Sequence, residues 1–394
     1  MDTWSSIVAL LACLLAAGAL VVAIVAYRAS ASISRSGTDG ADAAAQADSA
    51  AAAEPPPTGP PAIIVNPVKL NDLDAFKERC TQIARQCNLP EPLFFETSEE
   101  NQGHSQAREA VAKGASVVVA AGGDGTVRQV ARGLAGTGVP LGLVPMGTGN
   151  LLARNLDIPL GSVSDQITAA FTGPTHAMDV GWLKAEPLRD EEALEAATAK
   201  RFANLLTDEG AVPAPKPDHE YLFLVIAGLG FDAAMVAGAD DDLKARIGWL
   251  AYSVAAIKHM TGRRIDARMW IGGAETPEHQ RARTIMFANC GRLPGGVVLL
   301  PDAQLDDGWV DIATIDTTVG LLGWAAVGGK ILLQGLGIRR DQPGPLPGSM
   351  TFRRGKSVRV STAEPEAVQV DGDLVGISRH IETRVERGAL LVRS

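Results

Sequence analysis

Apolar and polar positions divide the chain into three textures. From Ile7 to Ala26 the run holds no charged residue. Twenty residues at about 1.5 Å each span roughly 30 Å, the thickness of a bilayer core. Residues 29–60 are dominated by Ala, Ser, Asp, Gly and Pro, and the stretch runs into Pro55-Pro-Pro-Thr-Gly-Pro-Pro61. Little there can form a core, so an extended linker is predicted. From Ala62 onward, short apolar runs alternate with helical patterns. Ala62–Val65 predicts a first strand. Asn71 is the predicted cap of a helix with Leu73, Phe76, Cys80, Ile83 and Cys87 on its apolar side. Leu93–Phe95 predicts a second strand and Gln106–Lys113 a helix. Val117–Ala121 and Leu141–Val144 predict two more strands, the first a continuous apolar run of the kind buried in parallel sheets. Strands alternating with helices predict a parallel sheet covered on both faces.

The second half changes character. Met178–Lys184, Tyr221–Ala227, Ile265–Ile271, Thr284–Asn289, Trp309–Ile315 and Lys356–Ser361 are short, strand-like and separated by turns. They predict a mainly antiparallel β-sandwich. Glu186–Asp218 is acidic and alanine-rich, then proline-rich, and is expected as a surface excursion. Leu243–Met260 and Leu321–Leu336 predict helices, and Ala389–Val392 a strand returning to the first half. The expected fold class is an α/β domain followed by a mainly antiparallel β-sandwich, behind one N-terminal transmembrane helix. Its boundaries are an anchor at 1–28, a linker at 29–60, the α/β domain at 61–175, the sandwich at 176–385 and the returning strand at 386–394.

A net charge of −9 argues against nucleic acid as a partner, because phosphate backbones call for a basic face. Asp2 precedes the apolar run, and Arg28 and Arg35 follow it. The positive-inside bias then predicts a single-pass cell-membrane protein with its folded part in the cytoplasm. A cleaved signal peptide would carry a basic start and a shorter apolar core, and neither is present. Cys13, Cys80, Cys87 and Cys290 are scattered, as in a reducing compartment, and the six histidines show no zinc-ligand spacing.

Two stretches carry candidate chemistry. Val117–Ala121 runs into Gly122-Gly-Asp-Gly-Thr126, and Val127, Val130, Ala131 and Leu134 follow at helical spacing. Leu141–Val144 runs into Gly147-Thr-Gly-Asn150, with a helical pattern from Leu151. Glycines let a backbone approach a ligand closely, and a helix start offers free N–H groups to an anion. A tight turn without a ligand would explain either one alone. Two on adjacent strands place both at the carboxyl edge of one sheet, where ligands bind in open α/β folds. Neither is a P-loop: Gly355-Lys356-Ser357 has Met350 where that motif needs glycine. The Rossmann spacing is absent too. Asp124 would repel phosphates unless it serves a metal, a ribose or an acceptor hydroxyl.

Gly122-Gly-Asp-Gly-Thr126 followed by Pro145-Met-Gly-Thr-Gly-Asn150 resembles the diacylglycerol kinase catalytic domain family, which includes bacterial lipid kinases and the sphingosine and ceramide kinases. The resemblance implies ATP and Mg²⁺ as cofactors and a lipid hydroxyl as acceptor. It implies that Gly122, Gly123, Asp124, Gly125, Thr126, Gly147, Thr148, Gly149 and Asn150 hold the phosphates, with Mg²⁺ between them and Asp124. Asn66-Pro67 matches the family's opening Asn-Pro, although Val68-Lys69 stands where Ser-Gly is usual, so Lys69 would supply charge. Thr97 matches a threonine near ATP; a helix cap is the other reading. Ala227-Gly-Leu-Gly-Phe-Asp232 resembles the element whose acid, here Asp232, lies by the lipid headgroup. Pro301-Asp-Ala-Gln-Leu-Asp-Asp-Gly308 resembles an element holding a structural Mg²⁺, which would fall to Asp307 and the carbonyls of Gln304 and Trp309; a plain Asp-Gly turn is the alternative. Val370-Asp-Gly-Asp373 resembles the family's Asp-Gly-Glu element, with Asp373 in place of Glu. It implies that Asp371 or Asp373 deprotonates the acceptor.

The expectation is an ATP-dependent lipid kinase, with diacylglycerol as first choice and a sphingoid base or another lipid alcohol as second. A membrane-tethered nucleotide-binding protein without turnover is the competing class. Expected partners are ATP, a membrane lipid and the membrane itself through the N-terminal helix. The acyl chains and the oligomeric state, homodimer included, stay open at this point.

Overall fold

The computed structural model describes residues 59–199, 202, 203, 205–207, 210–230, 264–293, 297–300, 302–317 and 348–394. The first half is a parallel sheet of β1 (Pro61–Val65), β2 (Leu93–Glu96), β3 (Val117–Gly122) and β4 (Leu141–Pro145), in the order β2-β1-β3-β4. Alternation along β3 explains its two-sided burial. Val117, Val119 and Ala121 pack with Phe76, Cys80 and Ile83 of α1 (Leu73–Gln86). Val118 and Ala120 face the opposite layer, with Ala107 and Ala110 of α2 (His104–Ala112) and Val130, Ala131 and Leu134 of α3 (Asp124–Leu134). The short α4 (Leu151–Asn155) follows β4, and α5 (Val163–Thr172) adds Ile167 and Phe171 to the α1 side. The cap of α1 is Asp72 rather than the expected Asn71: its side chain accepts from Ala75 N–H at 2.9 Å.

The second half is antiparallel and sandwich-like. It contains β5 (Thr175–Ala185), α6 (Asp190–Thr198), β6 (Glu220–Phe223), β7 (Ile226–Gly230), β8 (Ile265–Ile271), β9 (Glu278–Ala282) and β10 (Thr284–Ala288). After a small hairpin of β11 (Arg292–Leu293) and β12 (Val297–Val298) come β13 (Val310–Thr317), β14 (Gly348–Gly355), β15 (Ser357–Val370) and β16 (Asp373–Arg393). The two longest strands change partners along their length. β15 pairs β8 through Val358–Thr362 and β7 through Val368–Val370. β16 pairs β15 and β5, shifts register between Glu386 and Leu390, and ends parallel to β4 with Val392 opposite Leu141. One strand thus joins both halves into a single hydrogen-bonded sheet.

Two expectations change here. Tyr221–Ala227 is not one strand: β6 and β7 are split at Leu224 and Val225, whose N–H groups go to the Asp371 carboxylate instead of a ladder. The anchor at Ile7–Ala26 and the helices at Leu243–Met260 and Leu321–Leu336 lie outside the described residues. No helix among the described residues is long and apolar enough to cross a membrane. The single-pass cell-membrane placement is corrected on that finding.

Candidate active site

The loops after β1, β2, β3 and β4 gather at one edge. Asn66 N–H donates to Ala121 O, Thr97 N–H to Val65 O and Met146 N–H to Gly122 O, so each loop leans on its neighbour. Asn66 also accepts from Val68 N–H at 3.1 Å, which closes a short turn over Pro67 and leaves Lys69 exposed.

The two glycine turns touch. None of their glycines takes a left-handed φ. They are there for closeness. A Cβ on Gly122 would sit 2.8 Å from Thr126 Oγ1, and one on Gly147 would sit 3.0 Å from Gly123 Cα. No side chain caps α3, so its first N–H groups keep no intrahelical acceptor. Asn150 closes the second turn on itself, with Oδ1 accepting from Gly147 N–H and Nδ2 donating to Gly147 O. Thr148 is exposed and Gly149 lies against the Asp124 carboxylate.

Asp124 joins the two turns. Its carboxylate accepts from Leu151 N–H at 2.6 Å and Asn150 N–H at 3.0 Å, and so caps α4 from the start of α3. Burial pushes its carboxyl upward; those N–H groups pull it down, and the neighbouring charge of Asp373 pushes it up again.

Asp371 is the first residue of the two-residue turn between β15 and β16, and Asp373 directly follows that turn. Asp371 and Gly372 have φ of 45° and 90°, as a tight hairpin turn of this kind demands. Their side chains part. Asp371 is buried and accepts from Leu224, Val225 and Ile226 N–H at 2.8–2.9 Å. Burial pushes its carboxyl up, against the pull of Arg128 and those three donors. Asp373 is exposed over 59% of its side chain and pairs with Arg128 at 2.5 Å. Its Oδ2 lies 3.6 Å from where a Cβ on Gly125 would be, beside the first turn of α3.

Arg128 escaped the sequence reading. It is buried, and besides Asp373 it donates to Val370 O at 2.8 Å. Its signal was spacing: it stands four residues after Asp124 on the same helix face. Asp179 was missed too. Fully buried on β5, it accepts from Gly308 N–H and Gly388 N–H and fixes the 302–308 loop from beneath.

The residues expected around a structural Mg²⁺ are arranged otherwise. Asp307 accepts from Trp309 N–H at 3.0 Å and pairs with Arg354, which also reaches Asp311 at 2.9 Å. Gln304 is exposed, and Lys356 lies over the Trp309 ring. Among the described residues no group of three or more His, Cys, Asp or Glu is placed to hold a metal. The Arg354 guanidinium balances these two acids. Asp232 lies outside the described residues, two positions beyond the end of β7.

Residues 61–183 match the family model of the diacylglycerol kinase catalytic domain, and residues 225–392 match that of the YegS C-terminal NAD kinase beta sandwich-like domain. A probable lipid kinase YegS-like protein of Pseudomonas aeruginosa is 29% identical, over 75% of this chain and 82% of its own. The diacylglycerol kinase of Mycobacterium tuberculosis is 28% identical, over 52% of this chain and 56% of its own. An uncharacterized Synechocystis protein is 27% identical over 80% of this chain, which spans 65% of that protein's length. Among solved structures, that of a diacylglycerol kinase from Bacillus anthracis shares the fold with a TM-score of 0.55 at 16% identity, over 85% of this chain and 96% of its own. Paired glycine turns, the sheet that carries them and both domain matches agree: the chain carries a diacylglycerol kinase catalytic domain over residues 61–183 and a YegS-type C-terminal domain over residues 225–392.

Proposed function

We propose that this chain is an ATP-dependent kinase that moves the γ-phosphoryl group of ATP to a lipid hydroxyl, with diacylglycerol as the first candidate acceptor. One observation carries the reading. The uncapped start of α3, the Asp124 carboxylate and the Asp373–Arg128 pair converge where two glycine turns meet. Phosphates fit over the backbone of Gly122–Thr126 and Gly147–Asn150, with Asn66, Pro67, Lys69 and Thr97 on the same edge. Asp124 is the residue that would hold Mg²⁺, which when bound neutralises phosphate charge.

Asp373 accepts the proton of the acceptor hydroxyl. That oxygen attacks the γ-phosphorus, a new P–O bond forms, and the bond to the β–γ bridging oxygen breaks. ADP leaves with the electron pair. Arg128 holds the Asp373 carboxylate in place. Asp371 is a positioning residue in this scheme, because three backbone N–H groups and burial occupy it.

The test is radiolabelled phosphate transfer from ATP to a panel of dispersed lipids. Label in phosphatidic acid is the expected result. Label in a sphingoid base alone would move the acceptor class, and tight ATP binding with no labelled lipid would sink the kinase reading.

A further inference from the structure

Beside the Asp373–Arg128 pair, a cavity of about 640 Å³ opens between α3, the 99–103 loop with the start of α2, and the start of β6. It falls in the size range of ligand pockets. Arg128 and Arg132 lie one turn apart on α3, about 6 Å along its axis. Their circumstances differ. Arg128 has Asp373 as counter-charge. Arg132 is half-buried and has no carboxylate partner among the described residues; its Nη2 contacts His219 Nδ1 at 3.4 Å. His104, Lys216 and the Gln129 amide line the same wall, and Tyr221 stacks edge-on to His219. The acids of the cavity are Asp373, already paired, and Glu99 and Glu100, which are exposed on the rim where water screens them. A guanidinium drawn partly out of water with only imidazole beside it is stabilised by an oxyanion, which accepts charge-assisted hydrogen bonds from it.

We propose that Arg132, His219, His104 and Lys216 form a binding subsite for a phosphoryl oxyanion, separate from the glycine turns that face ATP. The anion comes either from free phosphate or from a phosphate in a lipid headgroup. The subsite does not rest on the kinase reading, since it is a property of the nucleotide-free chain. It fits the state of its histidines. Burial and then the charge of Arg132 hold both imidazoles below their ordinary range, joined by Arg108 at His104 and by Lys216 at His219. A bound oxyanion removes that repulsion.

The experiment is an NMR titration of the histidine rings in the full chain, with inorganic phosphate against chloride at fixed ionic strength. His104→Gln and His219→Gln assign the two signals. The expected result is a saturable rise in both titration midpoints, weakened at least about tenfold in affinity by Arg132→Gln and kept by Arg132→Lys, as loss of a charged donor predicts. ATP binding, measured in parallel, stays unchanged in Arg132→Gln, which separates loss of this subsite from loss of the fold or of the nucleotide site. The second arm is co-sedimentation with phosphatidylcholine vesicles, with or without phosphatidylserine. Arg132-dependent capture by the charged vesicles without a response to free phosphate assigns the anion to a lipid. Absence of both responses, or equal responses in Arg132→Gln, overturns the subsite.

Discussion

At the carboxyl edge of the parallel sheet, backbone meets backbone; at the β15–β16 hairpin, side chains meet backbone. In the first region, Gly147 rests on Gly123 and Gly122 on Thr126, and no larger residue fits without a shift. In the second, Asp371 accepts three N–H groups, Asp373 takes Arg128, and the nearby 302–308 loop hangs on Asp179. The difference teaches where sequence tolerance should lie. Closeness depends on the absence of atoms, so any added side chain disturbs it. Charge pairing depends on particular carboxylates, so even an isosteric amide disturbs it.

The sharpest test separates the two hairpin aspartates. Asp373→Ala should lower turnover at least about a hundredfold, in the range of lost acid–base help, while unfolding free energy falls by only about 1–2 kcal/mol, since the buried Arg128 loses a largely exposed partner but keeps Val370 O. Steady-state kinetics and urea unfolding read both; near-normal turnover would remove the residue from its role. Asp371→Asn should do the reverse first. An amide has one acceptor oxygen for three buried N–H groups, so stability should fall by about 3 kcal/mol in urea unfolding. A stable Asp371→Asn protein with lost turnover would make Asp371 the proton acceptor instead.

Gly122→Ala tests the other region. Its Cβ would meet the buried Thr126, and a loss of about 1–3 kcal/mol with weakened ATP binding is expected by denaturation and calorimetry. Arg354→Gln should cost about 1–2 kcal/mol in unfolding, since Asp307 and Asp311 lose a half-exposed partner, while EDTA should leave the wild-type melting temperature unmoved. A melt that falls with EDTA would return a metal to that loop. The smallest effect concerns pH. His219 has a folded-state value below its ordinary 6.5, so the unfolded chain binds the extra proton just below that pH. Stability should therefore fall as pH drops through about 6.5 toward the folded value, and His219→Gln should flatten that slope in pH-resolved melts.

How much was legible depended on the range of the interactions. The parallel strands were visible because a strand buried on both faces must be apolar throughout, as Val117–Ala121 is. The hairpin turn was not read from the sequence, although the Asp371-Gly372 pair suits its two positive φ values. Arg128 was not read either, since a buried arginine is unusual until Val370 O and Asp373 arrive from more than 240 positions away. The break between β6 and β7 was hidden for the same reason: its cause is a carboxylate 145–147 positions downstream.

The sequence alone determined the order of strands and helices in the first half and the two turns that end β3 and β4, since local periodicity and glycine placement encode both. It also determined the family, because those turns are short continuous words. Only the tertiary structure decided which hairpin aspartate is exposed and what occupies Asp307. Those outcomes depend on burial and on partners distant in the chain, and no local pattern records either.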